Sequence, residues 1–167
     1  MDLVERFWQL LKDAGWVVLN HREGQGMSWE ELEVVLEFKN CGKSLPCVPG
    51  GSQTVRIVKK GASCFFIYAH ENNIEHGFWG ISKGVFDQIR GQETINWAHV
   101  FLKESETEGW WAARANVEQL VRWQHWHVRA NGDYLVEYPT GVHGCLPFHT
   151  RSELLGCVDD FAEGLAL

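Results

Sequence analysis

Apolar side chains recur three and four positions apart near the start of the chain. They are Leu3, Val4, Phe7, Trp8, Leu10, Leu11 and Ala14. Such spacing is typical of an amphipathic helix with one buried face, which Asp2 can cap and after which Gly15 suits the exit. The sequence therefore predicts a first helix, followed by a short buried strand at residues 16–19.

The middle of the chain shows the shorter apolar runs of strands. Residues 54–59 and 63–69 predict two strands around a Lys-Gly turn. The second run is almost continuously apolar, so we expect it in the centre of a sheet. Residues 70–77 read as a polar loop, and Ser82 and Gly91 are placed to begin and end a short helix.

Beyond residue 96 the pattern predicts a strand at 97–103, an acidic turn at 104–108 and a returning strand at 109–113. Consecutive side chains of a strand point to opposite faces. Trp110 and Trp111 are therefore expected on different faces of the returning strand.

Two more helices are predicted in the second half of the chain. Asn116 and Gln119 frame the start of a short one, and Thr150 with Glu153 forms a capping box for a terminal one. The fold class that follows is α/β or α+β, with a mixed β-sheet flanked by helices at both chain ends. We expect one globular domain over residues 1–167.

A hairpin is predicted where Asn131-Gly132 separates two alternating runs, as in a two-residue type I′ turn. That register places Arg129 opposite Tyr134 and His127 opposite Val136. One face then carries His125, His127, Arg129, Tyr134 and Tyr138, while Trp126, Val128 and Leu135 face the core. Because arginine holds phosphate and aromatic rings stack on bases, the face is a candidate site for a nucleotide or a single strand. A solvated or helix-covered face is the alternative.

Residues 28–39 fit two structures. Ser28 and Glu31 form a capping box that favours a helix, whereas apolar residues that alternate with charged ones from 31 to 39 favour a strand. On a strand, Glu37 and Lys39 share a face, where the carboxylate can bind Mg²⁺ and the ammonium can steady phosphate or the attacking water. On a helix they point about 200° apart and no site forms.

Glu37-Phe38-Lys39 resembles the Glu-x-Lys half of the motif of restriction-endonuclease-like nucleases, as does the order of elements over residues 1–105. The resemblance implies a Mg²⁺-dependent nuclease. An acidic ligand should precede the motif on the neighbouring strand, and residues 16–19 offer none, so that Glu23 or Glu33 would have to substitute. A second alignment places Tyr68-Ala69-His70 at the motif positions and implies a degenerate domain that does not cleave.

The chain carries 15 lysines and arginines against 22 aspartates and glutamates, a formal net charge of −7. An extended duplex DNA partner is disfavoured, because it needs many cationic contacts to phosphate. The N-terminal residues mix charged with apolar side chains, unlike a signal peptide, and no run approaches the roughly 20 apolar residues of a membrane span. We therefore expect a cytoplasmic protein with no membrane partner, whose five cysteines are reduced.

The last candidate site is a zinc site formed by histidines and cysteines. His125 and His127 share a strand face in the predicted register, and further donors stand in loops: Cys41, Cys47, His143, Cys145 and His149. None has the tight Cys-x2-Cys spacing of a structural zinc site, so zinc is not favoured.

Taken from sequence alone, the preferred hypothesis is a binding or interaction protein in nucleic-acid or nucleotide handling, without a cofactor. Its partner would be a basic protein, a nucleotide or a short single strand. The alternative is the Mg²⁺-dependent nuclease using Glu37 and Lys39.

Overall fold

The computed structural model describes residues 2–19, 54–61, 63–71, 77–91 and 96–165. The helices in these ranges are α1 (Leu3–Asp13), α2 (Lys83–Arg90), α3 (Arg114–Arg122) and α4 (Arg151–Leu165), with a 3-10 turn at Thr140–Val142. The strands are β1 (Val17–Leu19), β2 (Val55–Lys60), β3 (Ser63–Glu71), β4 (Phe78–Ile81), β5 (Asn96–Lys103), β6 (Ser105–Ala113), β7 (His127–Val128), β8 (Tyr134–Glu137) and β9 (Leu146–Phe148). Helix α1 begins as predicted, with Asp2 and Glu5 forming a capping box.

The larger sheet has the described strand order β1-β2-β3-β5-β6-β9. Neighbours are antiparallel except β3 and β5, which run parallel and are joined by a crossover through β4 and α2. The apolar run at 63–69 lies inside this sheet, as predicted. The fold is thus α+β, a mixed sheet with helices at both chain ends.

The central strands β3 and β5 separate two packed layers. Alternate side chains of these strands, such as Phe65, face α4, where Phe65 and Phe161 lie 4.8 Å apart between ring centroids. The opposite face meets α2 and a second sheet in the order β4-β8-β7. There, Trp79 of β4 donates its Nε1 hydrogen to the Leu102 carbonyl at 3.0 Å.

The two adjacent tryptophans of β6 divide between these layers, as the strand periodicity predicts. Trp111 is buried, with its ring centroid 5.6 Å from that of Phe161. Trp110 lies on the other face, where its ring centroid is 5.6 Å from that of Trp79 and 5.3 Å from that of Tyr138.

Three expected boundaries are wrong. Strand β6 begins at Ser105, so that only Glu104, with φ 63°, forms the predicted acidic turn. Helix α3 begins two residues before Asn116, whose side chain instead donates to the Gly144 carbonyl at 3.2 Å. Strand β3 continues through Glu71, because His70 and Glu71 still pair with Phe101 and Leu102 of β5. The Glu71 carboxylate accepts the Val4 amide hydrogen at 2.9 Å and ties the strand end to the first turn of α1.

Among the described residues, no helix has the length and apolar character needed to cross a membrane.

Candidate functional site

The hairpin of β7 and β8 has a different register from the predicted one. His127 lies opposite Leu135 and Val128 opposite Tyr134. The Arg129 carbonyl accepts the Gly132 amide hydrogen at 2.9 Å, and the Arg129 amide donates to the Asp133 carbonyl at 2.8 Å. The loop therefore has three residues, a turn closed by Gly132 at φ 89°, which is the other common hairpin geometry open to an Asn-Gly pair.

This one-residue shift separates the five predicted ligand residues, because a slip by one position moves a side chain to the opposite face. His127 and Arg129 lie on the outer face: the Arg129 guanidinium is 5.1 Å from the Phe78 ring centroid, and His127 Nε2 is 3.6 Å from Glu137 Oε2. Tyr134 lies on the inner face, with its ring 5.5 Å from Phe86. The predicted shared face was wrong.

The other two predicted residues lie beside a surface pocket that we call the His125–His143 pocket. His125, Pro139, Thr140 and His143 line about 210 Å³. The ring centroids of the two histidines are 6.2 Å apart. His125 Nδ1 is closed to solvent and has no hydrogen-bond partner among the described residues.

Exposed aromatic rings stand next to this pocket. Trp123 is 51% exposed, with its ring 5.7 Å from His125. Tyr138 is 62% exposed, directly precedes Pro139 and packs against Trp110. Exposed rings of this size concentrate binding energy at interfaces.

Buried contacts hold the pocket walls in place. The Trp126 indole donates to the Gly141 carbonyl at 2.9 Å, and its ring packs 5.7 Å from Phe86. Gly141 has no space for a side chain, because a Cβ there would lie 2.6 Å from Val136 Cγ1. The His125 amide donates to the Leu120 carbonyl at 2.9 Å, which fixes the chain where it leaves α3.

The described histidines, cysteines and carboxylates include no group of three that could hold a metal ion. His125 and His127, proposed as a pair, do not share a site: one lines the pocket and the other lies near Glu137. Cys145 is buried, and burial raises the pKa of its thiol to about 12, which opposes the thiolate form that zinc requires. Cys41 and Cys47, like Glu37 and Lys39, lie outside the described residues.

A second polar cluster is enclosed in the core. His70 Nε2 and His99 Nδ1 share a hydrogen bond of 2.8 Å, and His99 Nε2 has no partner among the described residues. Burial lowers the pKa of His70 to about 3, and burial with the nearby His70 lowers that of His99 well below its usual value. Burial raises the pKa of Tyr68, beside His70, to about 12. All three side chains are therefore uncharged at neutral pH.

Sequence reasoning missed His99, Trp123 and the role of His143 in the pocket. A signal for His99 was present, because His70 and His99 each continue an alternating aromatic series on one of two neighbouring strands. No comparable pattern joins His125 to His143, since a turn of 3-10 helix and a β-strand pair intervene.

The chain matches no model of a known protein family and no curated protein.

Proposed function

We propose that the protein binds nucleotides or short single-stranded nucleic acid at the His125–His143 pocket. The observation that carries the proposal is the exposure of Trp123 and Tyr138 beside a pocket lined by two histidines. Aromatic rings stack on bases of any sequence. Imidazole and threonine groups can donate hydrogen bonds to phosphate oxygens.

The segment that forms the pocket is less acidic than the chain as a whole, although its Arg129 and His127 lie on the outer face of the hairpin. Residues 122–151 contain three arginines, four histidines and two carboxylates, whereas the whole chain has a formal net charge of −7. A short strand or a nucleotide presents few phosphates, so that a small surface of this kind suffices where a duplex would need a long basic face.

The first test is a titration of a fluorescent oligothymidylate, about ten nucleotides long to match a typical single-strand site, followed by anisotropy at low salt. Replacing Trp123 or Tyr138 by alanine should weaken binding roughly 5- to 150-fold, since a stacked base contributes about 1–3 kcal/mol. Val128→Ala is the matched control, because Val128 is 66% exposed in the same segment but has no ring. Equal affinities in all variants would contradict the proposal.

The Mg²⁺-dependent nuclease remains a second candidate. The described elements on either side of residues 20–53 are helix α1, the antiparallel strands β1 to β3, a crossover and the parallel strand β5. These elements support the resemblance, whereas Glu37 and Lys39 lie outside the described residues. In the second alignment, Tyr68 and His70 of β3 are 4% exposed each and belong to the aromatic core, which favours the degenerate form. Mg²⁺-dependent cleavage that Glu37→Ala abolishes would establish the active form, and its absence in the wild type on both DNA and RNA would reject it.

A further inference from the structure

The His125–His143 pocket is small, and its size limits which part of a ligand it can enclose. Its volume of about 210 Å³ lies below the roughly 300–1,000 Å³ that is typical of pockets around whole small molecules. A nucleotide would therefore place one group inside, while the rest lies against the exposed rings of Trp123 and Tyr138. Bases stack on such rings, which leaves the phosphate as the group for the pocket.

The lining of the pocket offers hydrogen-bond donors but no permanent charge. Its polar side chains are His125, Thr140 and His143, and no lysine, arginine or carboxylate of the described residues lines it. Histidine is the side chain whose charge ordinarily changes between about pH 5 and 8. A positive charge inside the pocket must therefore come from one of the two imidazoles.

His125 is suited to donate a hydrogen bond as a neutral ring. Its Nδ1 is closed to solvent and has no partner among the described residues, whereas Nε2 stays open to solvent. A hydrogen on Nδ1 would be an unpaired buried donor, which proteins avoid more strictly than an unpaired acceptor. The ring therefore carries its hydrogen on Nε2, where it can donate to a phosphate oxygen. A second proton on this ring is disfavoured, because it would have to sit on Nδ1.

His143 is suited to carry the positive charge. Its side chain is exposed and forms no ion pair with another described side chain. The His143 amide donates to the Thr140 carbonyl at 3.2 Å, which holds this residue beside the pocket. The ring centroids of His125 and His143 are 6.2 Å apart. The oxygens of one phosphate can therefore reach both rings at the roughly 2.7–2.9 Å of a charge-assisted hydrogen bond.

The ionisable groups of the neighbouring elements leave this role to His143. Arg122 is exposed at the end of α3 and keeps its charge throughout this pH range. On β8, Glu137 lies near His127 on the outer face of the hairpin. The 3-10 turn and β9 contain no ionisable side chain. Burial raises the pKa of the Cys145 thiol to about 12, so that this group is uncharged at neutral pH.

We infer that the His125–His143 pocket binds a terminal phosphate, the phosphomonoester of a nucleotide or of a strand end, and that protonation of His143 strengthens this binding. An interior phosphodiester carries one negative charge and continues into a nucleotide on both sides. A monoester carries up to about two charges and needs room on one side only. This inference rests on the proposed function and adds the group of the ligand that the pocket recognises.

The test compares oligothymidylates that carry a phosphate or a hydroxyl at the end opposite the fluorescent label, for each of the two ends. At about pH 6.5 and low salt, one phosphorylated end should bind at least about tenfold more tightly than its hydroxyl form, as expected for a charge-assisted contact. General electrostatics has the opposite sign, because the chain carries a net charge of −7. Displacement of the probe by thymidine monophosphate would assign the site to free nucleotides, and failure to displace it would assign the site to strand ends.

The role of His143 is tested by removing its charge. His143→Gln keeps a hydrogen-bond donor but cannot be protonated, so that the preference for the phosphorylated end should be lost. In the wild type this preference should fall at least about fivefold between about pH 6.5 and 8, because histidine ordinarily titrates near 6.5. His127→Gln is the matched control, since His127 is exposed in the same segment but lies on the outer face of the hairpin.

The outcomes separate this inference from the proposed function. Equal binding of phosphate and hydroxyl ends, or a preference that His143→Gln leaves intact, would overturn the inference while single-strand binding stands. A preference that does not change with pH would also overturn it. Failure of every oligonucleotide and of thymidine monophosphate to bind would overturn both.

Discussion

His70 Nε2 and His99 Nδ1 lie 2.8 Å apart inside the aromatic core, on two neighbouring parallel strands. Each ring is buried, and Phe101 stacks 5.1 Å from His70. The two neutral imidazoles form one hydrogen bond with each other. A proton added to either ring would place a positive charge among apolar rings. The pair therefore makes folding sensitive to acid.

The first prediction concerns the pH dependence of stability. Burial lowers the pKa of His70 to about 3, whereas an unfolded histidine titrates near 6.5. The unfolded state thus binds more protons between these values, and the free energy of unfolding should fall as pH drops from about 6.5 towards 3, by up to about 1.4 kcal/mol per pH unit for each histidine. Urea unfolding at a series of pH values measures this slope.

The double variant His70→Leu with His99→Phe should have a shallower slope over the same range. His149→Gln serves as control, because His149 is exposed. An unchanged slope in the double variant would show that other groups cause the acid sensitivity.

A second prediction addresses the three-residue hairpin loop. Gly132 has φ 89°, and a Cβ there would lie 3.3 Å from Lys83 Cδ. Gly132→Ala should therefore lower the free energy of unfolding by roughly 1 kcal/mol or more. Gly156 lies within α4 with open space around its Cα, so that Gly156→Ala should raise stability by about 0.5–1 kcal/mol. Chemical denaturation of both variants checks the opposite signs, and destabilisation by both or neither would be inconsistent with this geometry.

The third prediction compares two buried indole hydrogen bonds. Trp126→Phe leaves the Gly141 carbonyl without its donor, and Trp79→Phe does the same for Leu102. Each should cost about 1–3 kcal/mol of stability. Of these two tryptophans, Trp126 is the one that holds the loop of the His125–His143 pocket. Trp126→Phe should therefore also weaken oligonucleotide binding, and Trp79→Phe should not. Equal effects of the two variants on binding would argue against this role.

A fourth prediction separates the pocket from the outer face of the hairpin. Tyr134 packs inward against Phe86 and Trp126, and Arg129 lies over Phe78 on the other side. Tyr134→Phe and Arg129→Gln should therefore change oligothymidylate affinity by less than about threefold, well below the loss of a stacked base. A tenfold or greater loss in either variant would return the binding site to the hairpin face.

Local patterns predicted most elements but not their partners. The capping residues Asp2, Ser82 and Thr150 all begin helices, and the apolar run of β3 lies inside the sheet, because these signals act within a few residues. Hairpin register depends on the backbone angles of one glycine. Gly132 fits both common loop lengths, and the sequence does not distinguish between them.

The site was only partly predictable, because its residues come together through contacts between distant parts of the chain. His125 and Tyr138 were expected to share a face and instead lie beside one pocket, since the loop at 139–143 folds back and brings His143 to His125. That fold depends on Trp126 and Gly141 meeting across the core. Contacts between residues distant in sequence leave no local pattern.

Binding at the His125–His143 pocket can be followed through the indole signals of the ¹⁵N-labelled protein during an oligothymidylate titration. Binding at this pocket should shift the Trp123 signal in a saturable way and leave that of buried Trp79 in place. A Trp123 signal that remains unchanged while the oligonucleotide binds elsewhere, or an oligonucleotide that does not bind, would contradict binding at this pocket.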